Sequence, residues 1–247
     1  MYHDLDEEAS VISLRPELFA WQMRWLHEQR YRVLPLSELV ERLRERKAFP
    51  ARSVVITFDD GFESVYTAAY PVLARYGFAA TVFLVPAYCG RSNTWPGQPR
   101  HIPERSLLSW SQIREMDHHG IEFGAHSFNH RRLDQLPLAE SAREILDSKS
   151  YVEDRLGHTV ELFSYPYGRY SPAVQLIVGK AFGGACSAQP GLVQHSSDPL
   201  ALARVDIHYI LHPRLFGLMP NPLFATYVKL RRVLRAAASL FLRRSWQ

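Results

Sequence analysis

Blocks of apolar and polar positions along the chain predict a regular alternation of strands and helices. Continuous apolar runs are typical of strands covered on both faces of a sheet, and spacings of three and four residues are typical of helices with one buried face. Strands are predicted at 53–58, 79–85, 121–125, 161–164, 184–187 and 204–210. Helices are predicted at 16–30, 37–47, 137–156 and 171–182, with two more that end near Tyr76 and begin near Ser109. Because the two kinds of element alternate over most of the chain, we expect an α/β fold with a parallel sheet, open or closed into a barrel.

Polar residues follow three of these predicted strands at the point where each strand ends. Asp59 and Asp60 follow the first strand, His126 follows the third, and the segment 165–167 follows the fourth. In parallel sheets and barrels the carboxyl ends of the strands form one rim, where functional groups gather. The three clusters are therefore expected to converge on a single site, although they lie far apart in sequence.

The charge of the chain is unevenly distributed. The 247 residues carry a formal net charge of +4, but no acidic residue follows Asp206, whereas seven of the 29 basic residues do. Residues 1–206 are thus slightly acidic, which argues against a nucleic-acid partner. We expect a catalytic domain at 1–212 and a basic amphipathic tail at 213–247. The two cysteines are too few for a disulfide framework and are interpreted as buried thiols.

Neither end of the chain has the pattern of a membrane-spanning or targeting segment. The first eight residues are acidic rather than basic and apolar, and no run reaches about 18 consecutive apolar residues. From this chain we expect a cytoplasmic protein without a signal peptide. Apolar and basic residues interleave over 223–246, which favours either peripheral contact with the inner face of a membrane or a terminal helix packed against the barrel.

The polar clusters contain the donors of a catalytic metal site. Two imidazoles, His126 and His130, are spaced so that a helical turn would bring them to one ion, and a carboxylate of the aspartate pair would complete a three-ligand set. Such a set fits zinc, and other divalent transition metals also bind it. Taken singly, however, an Asp-Asp-Gly segment is an ordinary turn, and a histidine pair is an ordinary solvated helix face.

The same residues allow a hydrolytic mechanism. A metal-bound water has a pKa near neutrality, and a free carboxylate beside it can accept its proton during attack on a carbonyl. Asp59 is the predicted base and Asp60 the predicted ligand. Backbone N–H groups in the loop 165–168 are expected to support the oxyanion, and a histidine suits protonation of a leaving amine.

Three segments together resemble the first three motifs of the polysaccharide deacetylases, carbohydrate esterase family 4, also called the NodB homology domain. They read Thr57-Phe58-Asp59-Asp60-Gly61, Gly124-Ala125-His126-Ser127-Phe128-Asn129-His130 and Phe163-Ser164-Tyr165-Pro166-Tyr167-Gly168. The resemblance covers roughly residues 1–210. It implies a distorted (β/α) barrel and the removal of acetyl groups from N-acetylhexosamine units.

The resemblance also implies a role for each matched residue. Asp59 corresponds to the general base of the family. Asp60, His126 and His130 correspond to the ligands of its metal, usually zinc. Tyr167 corresponds to the residue whose backbone N–H supports the oxyanion.

The chain departs from the commonest family pattern in two places. Many members carry an arginine two residues before the proline of the third motif, where this chain has Ser164; Arg204, on a late predicted strand, is expected to orient Asp59 instead. The general acid is commonly a histidine of a C-terminal motif. This chain, however, opens with a tyrosine and a histidine, which resembles the circularly permuted branch that includes exopolysaccharide poly-N-acetylglucosamine deacetylases. We therefore favour His3 as the acid, with His212 as the alternative.

The expected function is that of a metal-dependent hydrolase that removes acetyl groups from an N-acetylated glycan or a lipid-linked saccharide. The expected cofactor is Zn²⁺ or another divalent transition metal such as Co²⁺ or Ni²⁺. Two alternatives remain open from the residues. One is deacylation of a non-sugar amide or an O-acetyl ester, and the other is a glycan-binding module of the same fold without turnover.

Overall fold

The computed structural model describes residues 1–8 and 10–244, and it describes side chains as far as residue 235. Strands and helices alternate along this part of the chain. The strands are β1 Asp4–Leu5, β2 Ser13–Leu14, β3 Arg32–Val33, β4 Ser53–Val54, β5 Thr57–Phe58, β6 Thr81–Leu84, β7 Glu122–Ala125, β8 Leu162–Ser164, β9 Gly184–Pro190 and β10 Leu202–Arg204. The α-helices are α1 Pro16–Glu28, α2 Leu36–Arg44, α3 Tyr70–Tyr76, α4 Trp110–His118, α5 Leu138–Leu156, α6 Pro172–Ala181, α7 Pro213–Phe216 and α8 Leu223–Arg244.

A six-stranded sheet in the order β10-β9-β8-β7-β6-β5 forms the centre of the molecule, and all its neighbouring strands are parallel. β6 is buried along its whole length, which explains its continuous apolar run. From β5 to β9 the chain crosses from one strand to the next through helices, which are the usual connection between parallel strands, whereas the loop 191–201 joins β9 to β10. The predicted α/β class and parallel sheet are confirmed.

The first residues of the chain connect the two edges of this sheet. The backbone N–H of Tyr2 donates to the Thr57 carbonyl at 2.8 Å, and the Asp59 N–H donates to the Tyr2 carbonyl at 3.0 Å, so this segment lies beside β5. On its other side, the Met1 nitrogen donates to the Val205 carbonyl, just after β10, at 3.0 Å. The curled sheet is thereby closed into the distorted barrel that the resemblance implied.

Two predicted strands differ from those in the structure. The apolar run 53–58 is divided, because β4 pairs with β3 in a separate two-stranded sheet and only β5 joins the main sheet. The predicted strand 204–210 was wrong beyond Arg204. There the Asp206 carboxylate accepts the His208 N–H at 3.0 Å and caps a 3₁₀ turn at Ile207–Tyr209. Local side-chain capping of this kind competes with strand pairing.

Helices α4 and α6 begin at capping signals in the sequence. Ser109 and Gln112 form a reciprocal capping box at the start of α4, and Ser171 caps α6.

Both cysteines are free thiols; Cys186 is buried as expected, whereas Cys89 is only half-buried.

The first part of the predicted tail packs on the barrel. Phe224 and Val228 of α8 are buried in the main hydrophobic core. The Tyr227 hydroxyl donates to the Tyr209 carbonyl, and the Arg231 guanidinium lies 4.2 Å from the centre of the Tyr209 ring. The side chains of 236–247, on which the membrane interpretation of the tail also depended, lie outside the described ones. Within the described part of the chain, no helix combines the length and apolar character needed to cross a bilayer.

Candidate metal centre and active-site cleft

The structure brings the three predicted metal ligands together at the carboxyl ends of β5 and β7. The Asp60 Oδ1 atom lies 3.1 Å from His130 Nε2 and 3.4 Å from His126 Nε2. One ligand atom from each of the three residues lies within 4.8 Å of the other two, and all three side chains are buried. This is the convergence of remote segments that the strand-end argument predicted.

The two histidines do not meet through a helical turn. Ser127 and His130 have φ angles of 59° and 57°, so the loop that joins them contains two residues in the left-handed region, and Asp60 has a φ of 72°. Such conformations are unfavourable for residues other than glycine and persist only when surrounding contacts hold them. The expectation of a helical turn was therefore wrong, although the meeting of the imidazoles was correctly predicted.

Glu144 of α5 holds this loop in place. Its buried carboxylate accepts the backbone N–H of Asn129 at 2.8 Å and the Asn129 side-chain amide at 2.8 Å. The Glu144 carbonyl also accepts the Phe128 N–H at 3.0 Å. Sequence reasoning did not identify this residue; the signal was a glutamate at a position where the helical period of α5 faces the core.

We expect Glu144→Gln to weaken metal binding by about 10–100-fold, the range found for residues that support metal ligands. The glutamine keeps the shape of the side chain but offers only one acceptor oxygen to the two N–H donors of Asn129. Competition with a chromophoric chelator measures the affinity. Glu140→Gln is the control, because Glu140 lies on the same helix and its carboxylate pairs with exposed Arg131 at 2.9 Å. Equal affinities for the two variants would contradict the role of Glu144.

The hydrogen bonding of His126 prepares it as a ligand. Its Nδ1 lies 2.7 Å from the Ser164 carbonyl oxygen, which requires the proton on Nδ1 and leaves the Nε2 lone pair directed towards Asp60. Burial lowers the pKa of His126 to about 4, so the ring is neutral at pH 7. Burial acts to raise the pKa of Asp60, but the neighbouring histidines, His130 first, lower it below its usual value.

These donors fit a divalent cation. The buried Asp60 Oδ1 atom lies between two imidazole nitrogens and accepts no hydrogen bond from the described residues. This buried carboxylate oxygen therefore has no hydrogen-bond donor to balance its charge. One carboxylate oxygen and two imidazole nitrogens are the ligand set of catalytic zinc sites with a further position open.

Asp59 and Arg204 form a buried ion pair beside the predicted ligands. Both guanidinium NH₂ groups donate to the carboxylate at 2.7 Å, one to each oxygen, and Arg204 is further held by the Ser187 carbonyl at 2.9 Å. Ser164 accepts from the same guanidinium at 3.0 Å. Burial acts to raise the pKa of Asp59, but the Arg204 charge outweighs it and keeps the pKa well below its usual value. Arg204 thus contacts Asp59 as expected from the sequence. It lies at the end of β10, however, and not at the start of the predicted strand 204–210.

His3 and both aspartates line one cleft of about 420 Å³, which the predicted ligands His126 and His130 also line. Its Nδ1 atom is buried and has no hydrogen-bond partner among the described residues. Asp206 also lines the cleft. Burial acts to raise the pKa of Asp206, but the hydrogen bond from His208 and the nearby charge of His3 lower it to about 2. His212, the alternative acid, is instead exposed and caps α7, where its Nδ1 accepts the Arg214 N–H at 3.2 Å.

Tyr167 lies on a tight loop next to the two imidazoles. Its φ is 59°, and that of Gly168 is 65°. A Cβ on Gly168 would lie 2.3 Å from the Ala188 Cβ, so only glycine fits there. The Tyr167 ring centre is 4.7 Å from that of His130, and Tyr167 lines the cleft. The Tyr167 side chain therefore lies next to one of the predicted metal ligands.

Comparison with known proteins gives this fold and site a family. The sequence profile of the polysaccharide deacetylases matches residues 46–182. The protein YxkH of Bacillus subtilis (strain 168), whose name places it among the polysaccharide deacetylases, is 31% identical over 218 residues, which are 88% of this chain and 73% of that protein. The chain belongs to the polysaccharide deacetylase family, a family of enzymes.

Relatives with a named substrate are more distant. The poly-beta-1,6-N-acetyl-D-glucosamine N-deacetylase of Staphylococcus epidermidis (strain ATCC 35984) is 29% identical over 171 residues, which are 66% of this chain but only 56% of that relative. Among solved structures, IcaB from Ammonifex degensii matches with a TM-score of 0.75 at 24% identity, over 91% of this chain and 94% of that one. The Streptococcus pyogenes deacetylase PplD in complex with acetate matches with a TM-score of 0.73 at 24% identity, over 83% and 89%. The two structures show that the barrel is of the deacetylase type.

Proposed function

We propose that this protein is a metal-dependent hydrolase that removes acetyl groups from N-acetylated hexosamine units of a glycan or glycan precursor. The observation that carries the proposal is the grouping of Asp60, His126 and His130 within 4.8 Å, on the same cleft as Asp59 and His3. The name of the staphylococcal relatives, which states N-deacetylation of an N-acetylglucosamine polymer, supports the choice of substrate class.

Asp60, His126 and His130 would hold the cation, and Zn²⁺ fits these donors best, with Co²⁺ and Ni²⁺ as alternatives. When bound, such an ion lowers the pKa of a water molecule and polarises the carbonyl of the acetamide. The Ser164 carbonyl keeps His126 in the tautomer that can ligate.

Asp59 accepts the proton of the attacking water in this proposal. The two hydrogen bonds from Arg204 fix both carboxylate oxygens and keep the group ionised, so it is ready to receive a proton at any pH above the acid range. The same pairing makes Asp59 a weak base. It therefore holds the proton only briefly, which suits transfer onwards within the cleft.

Tyr167 and His3 complete the reaction. The backbone N–H of Tyr167 donates to the oxygen that gains negative charge, since its loop lies against His130. His3, which lines the same cleft as Asp206, protonates the leaving nitrogen. Water adds to the acetyl carbon, the carbon–nitrogen bond breaks, and acetate and a free amine result.

An acetate-release assay tests the proposal. We expect release of acetate from an N-acetylglucosamine oligomer by the metal-loaded protein, and much slower release from a matched sugar O-acetyl ester or an acetylated peptide. Preference for the ester or the peptide would favour the alternative deacylase. Absence of release from all three substrates by a protein that binds metal would favour the non-catalytic glycan-binding module.

We further propose that α8 makes peripheral contact with an anionic membrane, where lipid-linked saccharides are available. Leu223, Leu230 and Leu234 are 64%, 54% and 52% exposed, and no acidic residue lies in 207–247 to oppose anionic lipid. We expect sedimentation with phosphatidylglycerol vesicles but not with phosphatidylcholine vesicles, and loss of binding in Leu230→Asp. Leu176→Asp is the control, because Leu176 of α6 is 68% exposed. Binding that Leu230→Asp leaves unchanged would contradict this contact.

A further inference from the structure

Two arginines lie on the outer rim of the cleft, above the catalytic groups. Arg169 directly follows the loop that carries Tyr167, and Arg235 reaches the rim from α8. Both side chains are exposed. Neither has a role in the mechanism proposed above.

Arg235 is fixed at the rim by a hydrogen bond. Its Nη1 atom donates to the Ala188 carbonyl at 2.6 Å. Ala188 in turn packs against Gly168 so closely that no Cβ would fit there. The guanidinium is therefore held beside the oxyanion loop, with one of its five N–H donors used by this bond.

The charges of these two arginines are not balanced by nearby acids. Within residues 1–8 and 10–235, neither guanidinium has a carboxylate within ion-pair distance, whereas the other two arginines on or beneath the cleft do. Arg132 pairs with Asp134 at 2.9 Å, and Arg204 pairs with Asp59 at 2.7 Å. His101, also exposed, lies on the same rim.

The acids at the base of the cleft are already engaged by other groups. Asp59 is paired with Arg204, Asp60 lies between two imidazoles, and Asp206 accepts hydrogen bonds from His208. The rim is therefore the part of the cleft with unbalanced charge, and that charge is positive.

We propose that Arg169 and Arg235 bind an anionic group, a phosphate or a carboxylate, that the substrate carries next to the acetylated sugar. The inference rests on the proposed function and narrows its substrate class. The planar guanidinium fork matches both anions and binds them through charge-assisted hydrogen bonds. A neutral glycan offers these arginines no counter-charge. A glycan that already carries several free amines is repelled by them, so repeated deacetylation of neighbouring units is disfavoured.

The test compares three soluble forms of one N-acetylated disaccharide: neutral, with a phosphate monoester, and with a carboxylate in place of a hydroxymethyl group. We expect at least about a tenfold higher kcat/KM for an anionic form, since a hydrogen bond to a charged group contributes enough free energy for a factor of ten. Arg169→Gln and Arg235→Gln are each expected to lower kcat/KM for the anionic form about tenfold. The kcat/KM for the neutral form is expected to stay the same. Arg232→Gln, on an exposed position of α8, is the control.

A binding measurement separates this inference from the proposed function. Calorimetry with metal-free protein and each of the three disaccharides measures recognition without turnover. We expect the anionic forms to bind more tightly than the neutral form, and their binding to weaken with salt and with either arginine substitution. Whichever of the two anionic disaccharides binds more tightly identifies the anion as phosphate or carboxylate. Equal binding of the three forms overturns the inference even if acetate is released from all of them. Absence of release from every form, with anion-dependent binding intact, overturns the proposed function and not the anion site.

Discussion

Asp59→Asn is expected to lower kcat by about 10²–10⁴-fold, the usual contribution of a general base, while the metal stays bound. The substitution removes the proton acceptor but leaves Asp60, His126 and His130 unchanged. It also leaves the buried Arg204 guanidinium facing an amide NH₂ group in place of a carboxylate oxygen. Removing one partner of a buried ion pair costs about 3–5 kcal/mol, so the free energy of unfolding should fall as well.

Three measurements on the Asp59→Asn variant distinguish the outcomes. Single-turnover acetate release reports the chemical step, elemental analysis reports the bound metal, and urea denaturation reports the stability. Because metal binding requires the folded site, a variant that holds one metal ion per chain is folded whatever its stability. Normal turnover by such a variant would show that Asp59 is not the base.

His126→Ala is expected to abolish both turnover and tight metal binding. The alanine removes one of the three predicted ligands and also the ring that the Ser164 carbonyl orients. We expect the metal affinity to fall by more than about 100-fold, beyond the loss caused by removing a residue that only supports a ligand. Dialysis against a weak chelator followed by elemental analysis measures this loss.

His212→Ala is the matched control for the ligand substitution. His212 is exposed and caps α7, so its loss affects one helix end and no described lining residue of the cleft. We expect this variant to keep its metal and its activity. Retention of metal by His126→Ala, or loss of activity in His212→Ala, would contradict the assignment of ligand and acid.

The sequence was sufficient to predict that the candidate site residues meet at one rim of the barrel. A continuous apolar run marks the buried strand before Asp59, and shorter apolar segments mark those before His126 and Tyr165. Parallel strands bring their carboxyl ends to one rim whatever the details of the loops. Arg204 was predicted for a different reason: the family resemblance implies an arginine where this chain has Ser164, so another residue had to orient Asp59.

The rest of the site depends on loop conformation, which no residue pattern specified. Ser127 and His130 adopt left-handed backbone angles because Glu144 and its neighbours hold the loop, and none of these contacts is local in sequence. The division of the apolar run 53–58 between two sheets also depends on other strands, because β4 pairs with β3 whereas β5 pairs with β6. The strand predicted at 204–210 was too long for a reason that the sequence does contain. The Asp206 carboxylate is a recognisable capping group, and it predicts a turn after Arg204.

The backbone contacts of the first residues determine how late the cleft is assembled during folding. Met1 bonds to Val205 across 204 positions of sequence, and Asp59 pairs with Arg204 across 145. The aspartate pair and the predicted ligands His126 and His130 therefore precede in sequence the strand that carries Arg204. Contacts of such high sequence separation form late in folding. The cleft should accordingly assemble as a single late event in refolding, after β10 has paired with β9.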